Sequence, residues 1–270
     1  MSLWDLATKL GHRTWPVELV KDPKFAAQVR DEKVDDAHSL FLIRKEVLEA
    51  PRLGSFNLHP GPLPRYAGLN SVCWAIYRGE KEHGVTLHKL VPEIDAGPIV
   101  FQESVSIGRE DTGLSLTAKC VNAGVPLILR LLEAAARGPS HIPTIPQDLS
   151  KREYFGHGVP ENRKLSWNRL ARRIVDFVRA SNFFPFRSPW GVLRTKRGDS
   201  TLGILKARLT GTPVDGPPGT ERSGGVEVAC ADEWILVRQV FREGICIPAR
   251  EALKARDRLA DCVNAPASKP

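Results

Sequence analysis

The sequence predicts an α/β domain followed by a small antiparallel β-barrel, and three observations carry that expectation. Up to about residue 138, short apolar runs of strand length alternate with helix-like segments. A polar, proline-studded stretch follows to residue 164. Beyond it stand one amphipathic helix and then short β-like runs separated by glycine and proline clusters.

Residues 37–43 form an apolar run suited to a buried strand, and 44–49 open a helical turn. Residues 56–58 read as a strand end that feeds a proline-rich loop. Residues 70–78 fit a helix stopped by Gly79, with Val72, Cys73 and Ile76 directed inward. Residues 84–91 alternate Val85 and Leu87 with Thr86 and His88, the period of a strand. Its antiparallel partner is expected at 99–107, across a turn at Asp95, Ala96 and Gly97. A long apolar helix capped by Asp111 or Thr112 then runs to Arg137, and Pro126 predicts a kink or break in it.

Residues 139–164, with Pro139, Pro143, Pro146 and Pro160, have the composition of an extended linker. Residues 165–180 read as one helix, with Leu170, Ile174, Phe177 and Val178 inward and Arg169, Arg172, Arg173 and Arg179 mostly outward. Runs at 191–195, 202–209, 225–230 and 234–241 supply barrel strands. The expected divisions are a first domain over 1–138, a linker over 139–164, a second domain over 165–261 and a loose tail over 262–270.

Bulk properties bound the function classes. A chain of 270 residues is long enough for two modest domains or one large one, and 42% hydrophobic with 26% charged residues is ordinary for a soluble globular protein. No uninterrupted apolar run approaches a membrane span, and the N-terminus lacks a signal-peptide core. The five cysteines are odd in number, scattered and without a C-x-x-C pair, which points to a reducing cytoplasm and to no disulfide framework or structural zinc. No cluster of metal-ligating residues implies a metal. The net charge of +8 is unevenly placed: residues 151–208 hold fourteen Lys/Arg against four acids. That excess is either a solvated basic face or a surface for a polyanion such as RNA or a phosphorylated substrate.

The most informative segment is 56–68, where Asn57 and His59 precede Pro60, Pro62 and Pro64. Each proline lacks an N–H and restricts the residue before it, so the loop is stiff. Asp95 follows in a second turn, Glu93-Ile94-Asp95-Ala96-Gly97-Pro98-Ile99. An amide, an imidazole and a carboxylate on rigid loops are what a tetrahedral acyl intermediate needs. Taken singly, each has an ordinary reading: a hydrogen-bonded loop histidine, a turn-capping asparagine, a turn aspartate. The joint pattern favours a site. His83 and His88 read as strand-face residues, and Arg65 as a surface residue or a contact to an anionic group.

The Asn57-Leu58-His59-Pro60-x-x-Leu63-Pro64-x-x-x-Gly68 run, the His83-Gly84-Val85-Thr86-Leu87-His88 strand and the Ile94-Asp95-Ala96-Gly97-Pro98-Ile99 turn resemble the folate-dependent formyltransferase family. That family includes methionyl-tRNA formyltransferase and the sugar N-formyltransferases. Residues 165–182, from Leu165-Ser166-Trp167 to Ser181-Asn182, are similar to the start of the tRNA enzyme's C-terminal domain. The resemblance implies a Rossmann-like α/β domain with a mainly parallel sheet, then an OB-like β-barrel. It implies formyl transfer from 10-formyltetrahydrofolate to a primary amine on tRNA, an amino sugar or an amino acid. The family's catalytic Asn, His and Asp fall on Asn57, His59 and Asp95. Folate contacts are expected from Leu40, Phe41, Leu42 and Ile43 and from Glu93, Ile94, Ala96 and Gly97. The basic 151–208 stretch would face a tRNA or another polyanion.

Three departures qualify the resemblance. Family members open with a βαβ portion, whereas this chain starts inside it, at Met1-Ser2-Leu3-Trp4-Asp5. The domain is therefore expected to be incomplete, through a misplaced gene start, a fragment, or a partner chain that supplies the rest. Gly61 stands where many members have Ser. Residues 183–191, rich in Phe, Pro and Trp, replace a shorter turn and read as a pocket or lid, or as a hydrophobic clasp between helix and barrel. Two further readings compete with transfer to an amine: a hydrolase using water on the same trio, and a non-catalytic RNA- or partner-binding remnant.

Overall fold

The computed structural model describes residues 3–38, 43–198, 200–242, 244–253 and 259–261. The expected strand across 39–42 and the expected tail 262–270 lie outside the described residues. In chain order the elements begin with α1 (Leu3–Lys9), α2 (Phe25–Asp31), β1 (Asp36–His38), α3 (Lys45–Leu48), β2 (Gly54–His59), β3 (Ala67–Gly68) and α4 (Ser71–Arg78). Next come β4 (Glu82–Lys89), β5 (Ile99–Ser106), α5 (Gly113–Arg137), β6 (Tyr154–Phe155) and α6 (Ala171–Ala180). The last are β7 (Leu193–Arg197), β8 (Ser200–Pro213), β9 (Glu221–Arg222), β10 (Glu227–Ala229), β11 (Glu233–Arg242), β12 (Ile245–Pro248), α7 (Ala249–Ala252) and β13 (Ala260–Asp261). They assemble into two compact units built from interleaved segments.

The first unit comprises residues 1–59, 86–102 and 124–151. Its sheet runs in the order β1-β2-β4-β5. The expectation of a mainly parallel sheet is corrected here for the described strands. β1 and β2 are parallel, but β2 and β4 are antiparallel, with Asn57 opposite His88 and His59 opposite Thr86. Parallel neighbours need a crossover, which α3 supplies between β1 and β2. The connection 90–98 carries no helix, so β5 returns beside β4, and Lys89 N–H donates to Pro98 O at 2.9 Å. Phe56 is fully buried, and a small cluster of Ala26, Val47 and Ala50 packs with Phe25, Val29 and Ile43. Gly124 lets α5 approach β2, because a Cβ there would lie 2.5 Å from Leu58 Cδ2. The first part of the expected linker is no free tether: Ile145 and Ile99 exchange main-chain hydrogen bonds of 2.9 and 2.8 Å.

α5 runs as one helix through Pro126, so of the expected kink or break the break is corrected. The proline is exposed, and it removes only one main-chain donor from the helix. By length and a mean hydropathy of 1.3, α5 is long and apolar enough to cross a membrane. It buries Leu116, Cys120, Leu127, Leu131 and Ala134, as core helices do, and exposes Val121, Val125, Leu129 and Leu132.

The second unit comprises residues 60–85, 103–123 and 152–270. β6 pairs in parallel with β3, so residues 154–155 are also held by a ladder. The antiparallel sheet runs β13-β7-β8-β11-β10-β9, with β12 on β11. Leu259 N–H donates to Gly219 O at 2.9 Å, which brings the two ends of the ladder together and curls the sheet. α6 begins at Ala171, not at 165 as expected. The Asp261 carboxylate takes the Trp167 N–H and the Ser166 hydroxyl at 2.9 Å, and Asp232 caps the Ala171 N–H at 2.7 Å. Leu170 is 54% exposed instead of inward, whereas Ile174, Phe177 and Val178 are buried.

Arg179, expected to face mostly out, is buried against Asp176 at 2.8 Å and donates to the Asp111 carbonyl at 3.0 Å. The 183–191 segment anchors on Trp190, which is fully buried and meets Trp74 edge-on at 5.1 Å, with Tyr77 and Phe177 also around it. Phe184 and Phe186 stay exposed. Trp190 thus packs against α4 and α6.

Candidate active site

Asn57 and His59 are two residues apart on β2, so their side chains leave the same face of the sheet. Directly opposite, β4 places His88 beside Asn57 and Thr86 beside His59 on that face. The connection between β4 and β5 then carries Asp95 over it. The site thus stands on two adjacent strands, and only the carboxylate comes from a turn.

Asp95 is buried, with 8% of its surface exposed, and its φ of 52° puts it in the left-handed region. That conformation costs most residues about 1–2 kcal/mol and is tolerated best by Gly, Asn and Asp. Two features hold the turn. Gln147 Nε2 donates to the main-chain oxygens of Asp95 at 2.9 Å and Gly97 at 2.6 Å. Gly97 runs so close to β4 that a Cβ on it would sit 1.8 Å from Lys89 O.

The carboxylate lies between two imidazoles. Asp95 Oδ2 is 3.5 Å from His59 Nδ1, and Asp95 Oδ1 is 3.4 Å from His88 Nε2. Asn57 Nδ2 is 3.4 Å from His88 Nε2 and 3.5 Å from Asp95 Oδ1. These contacts are longer than the ~2.7–2.9 Å of tight charge-assisted hydrogen bonds, a looseness that catalytic groups often show before a substrate draws them in. Among the described residues, Asn57 Oδ1 is buried with no hydrogen-bond partner. A buried carbonyl oxygen left so costs about 1–3 kcal/mol, which a ligand N–H would relieve.

The three residues expected to be catalytic are therefore brought together. Of the expected folate contacts, Leu40, Phe41 and Leu42 lie outside the described residues. Ile43 packs against the Ala26, Val47 and Ala50 cluster. Glu93 and Ile94 are exposed, Ala96 is half-buried and Gly97 is buried, all flanking Asp95. Arg65 is engaged by Glu80 at 2.9 Å, and His83 Nε2 bonds the Pro60 carbonyl at 2.8 Å. Two contributors escaped the sequence. His88 was legible as a strand-face residue, but which face depends on the pairing register. Gln147 sits in the proline-rich stretch, and nothing in its neighbours marks it.

The basic stretch is partly neutralised within its own unit. Arg169 pairs with Glu161, Arg172 with Asp176 at 3.2 Å, and Arg179 with the same carboxylate at 2.8 Å.

Comparison with known proteins identifies the family. A family profile described as Formyl transferase matches residues 12–132, and one for the Formyl transferase C-terminal domain matches residues 159–256. Together they take in most of the chain. Among solved structures, HypX from Aquifex aeolicus in complex with tetrahydrofolic acid is similar, at 22% identity and a TM-score of 0.64 over 85% of this chain. This chain spans 40% of the HypX chain. An N-formyltransferase from Helicobacter canadensis, in complex with folinic acid and dTDP-3-aminofucose, matches at 22% identity and a TM-score of 0.66, covering 87% of this chain and 82% of that one. A sugar N-formyltransferase from Shewanella sp. FDAARGOS_354 matches at 23% identity and 0.58, over 78% and 81% of the two chains. At these identities the likeness is one of fold.

Proposed function

Since the chain belongs to the formyl transferase family, we propose that it moves a formyl group from 10-formyltetrahydrofolate to a primary amine, using Asn57, His59 and Asp95. The observation that carries this reading is the gathering of those three side chains on one face, with Asp95 beside His59 Nδ1 at 3.5 Å.

The chemistry asks for each of them. A neutral amine adding to a formyl carbonyl creates a negative oxygen and a positive nitrogen on one tetrahedral carbon. Asp95 favours the protonated His59 ring, whose Nε2–H then donates to the oxygen. Asn57 donates a second N–H to it, and each such donor in a dry site is worth about 3–4 kcal/mol at the transition state. The Asn57 oxygen, buried without a partner among the described residues, suits an N–H of the incoming amine. Asp95, directly or through water, passes the amine proton to the departing folate nitrogen. Leu40, Phe41, Leu42 and Ile43, with Glu93, Ile94, Ala96 and Gly97, would hold the folate; they supply binding and orientation, not chemistry.

For the acceptor, we infer a primary amine carried on an anionic group. The excess of Lys/Arg over residues 151–208 supports an anionic carrier, either a nucleotide-linked amino sugar or a tRNA. The neighbour from Helicobacter canadensis, with its dTDP-3-aminofucose, makes the first of these the one to try first. The test is purified protein with 10-formyltetrahydrofolate and a panel of dTDP-amino sugars, aminoacyl-tRNA and free amino acids. Tetrahydrofolate should appear only when an acceptor is present. Formate released without any amine, or no turnover with any of the panel, would overturn the reading.

A further inference from the structure

The geometry points to His88 as a positioning residue for the transfer proposed above, on which this inference rests: its Nε2 lone pair sets which way the Asn57 carboxamide faces. His88 Nδ1 lies 2.9 Å from the main-chain oxygen of Lys89. A carbonyl oxygen only accepts, so Nδ1 carries a proton and Nε2 is the nitrogen that faces Asn57 Nδ2. The ring is fully buried on β4, opposite Asn57, so it has no second place to go.

Nε2 is 3.4 Å from Asn57 Nδ2 and 3.4 Å from Asp95 Oδ1, while Asn57 Nδ2 is 3.5 Å from Asp95 Oδ1. The three atoms form a nearly equilateral triangle. Seen from Nδ2, the two acceptors therefore subtend about 60°, half the ~120° between the N–H bonds of a planar amide. One N–H fills that wedge and is shared between them, so the other N–H stays available for the reacting oxygen. The reversed carboxamide would push its oxygen against both a lone pair and a carboxylate, which is repulsive. His88 and Asp95 together thus make one orientation of Asn57 the stable one. That orientation also leaves Asn57 Oδ1 as the oxygen with no partner among the described residues. Thr86, opposite His59 on the same face, accepts from the Gln102 side-chain amide at 2.7 Å.

The test compares His88→Leu and His88→Gln with the wild type. His88→Leu keeps bulk but cannot accept; kcat should fall about tenfold or more, with KM for the folate changed less than about threefold. His88→Gln can accept through its amide oxygen and should recover most of that loss, which simple space-filling would not explain. Adding His88→Leu to Asn57→Ala should cost nothing further, because the group it orients is gone. Equal kcat in His88→Leu and wild type, or no rescue by Gln, overturns the assignment. Ring ¹⁵N spectra at pH 8 give a readout independent of turnover. His88 should show a protonated Nδ1 and an unprotonated Nε2, and the Nε2 signal should move in Asn57→Ala. The opposite tautomer, or an Nε2 signal indifferent to Asn57, overturns the assignment even if the protein transfers no formyl group; the reverse result with an inactive wild type removes the proposed function and leaves the positioning geometry standing.

Discussion

Gln147 reaches across 52 residues of sequence to donate its side-chain amide to the main-chain carbonyl of Asp95. The same nitrogen also serves Gly97. One side chain thus fixes the turn that aims the carboxylate. Gln147→Ala leaves two carbonyls without this donor, which should cost about 1–3 kcal/mol of stability and slow transfer by about tenfold. Gln147→Glu should do no better, because a carboxylate cannot donate. Melting temperature and kcat, measured together, check both; a silent Gln147→Ala would mean the turn holds itself.

Asp95 joins a chemical role to an unusual backbone, and two substitutions separate them. Asn tolerates a positive φ nearly as well as Asp but carries no charge, whereas Ala loses the charge and is strained as well. Both Asp95→Asn and Asp95→Ala should lower turnover by about a hundredfold or more. Only the alanine variant should also lose about 1 kcal/mol in denaturant unfolding. Near-normal turnover in Asp95→Asn would remove the carboxylate from the mechanism.

Gly97 should resist any side chain. A Cβ 1.8 Å from the Lys89 oxygen must displace either the turn or β4. Gly97→Ala is expected to lose about 1–3 kcal/mol, by the usual cost of overpacking. Gly216→Ala, where nothing lies within 4 Å, serves as the silent control. Thermal melts of the pair decide it.

Thiol chemistry reports on the second unit. Burial pushes the thiols of Cys73, Cys120 and Cys230 up to about 12. Cys246 is half-buried and burial raises it as well, but it is reachable. At pH 8 a maleimide should therefore modify Cys246 ahead of the other three, which should react only on unfolding. Peptide mass spectrometry after timed labelling reads this directly, and fast native labelling at Cys73 would contradict the packing.

Asp111 ties acid stability to the start of α5. Burial by itself would raise its carboxyl, but Lys119, the Gly108 N–H at 2.6 Å and the Ser115 hydroxyl at 2.9 Å outweigh it and hold the group below the usual range. A carboxyl depressed in the folded state stabilises above its unfolded pKa, and that stabilisation is lost as pH falls through the folded one. Asp111→Asn should thus be less stable than the wild type at pH 7, with the gap closing below about pH 4. A gap that persists at pH 2 would assign the effect to something other than ionisation.

The legible parts of this chain are those whose physics is local. Gly79 ends α4 in a left-handed conformation, with φ 76°, as a glycine after an apolar helical run should. The Val85 and Leu87 alternation became β4, and proline and glycine nearby marked the end of β2 that bears Asn57 and His59 and the turn that bears Asp95. The illegible parts are pairings. Arg179 reads as a surface residue until Asp176 and the carbonyls of Gly108 and Asp111 surround its guanidinium. Residues 165–170 continue a helical pattern, yet Asp261, far along the chain, takes the N–H of Trp167. A mainly parallel sheet was a fair expectation for the family, and strand direction is not written in a strand's own composition.

Residue types and their spacing were enough to determine that this protein carries an amide, an imidazole and a carboxylate suited to acyl chemistry, and that an antiparallel β-rich region follows. Only the fold decided that Asp95 stands between His59 and His88, that Gln147 holds its turn, and that Asn57 keeps one orientation. The reason is register. A strand's side chains alternate between faces with a period of two, so slipping β4 by one residue against β2 would turn His88 away from Asn57 without changing a single letter of the sequence.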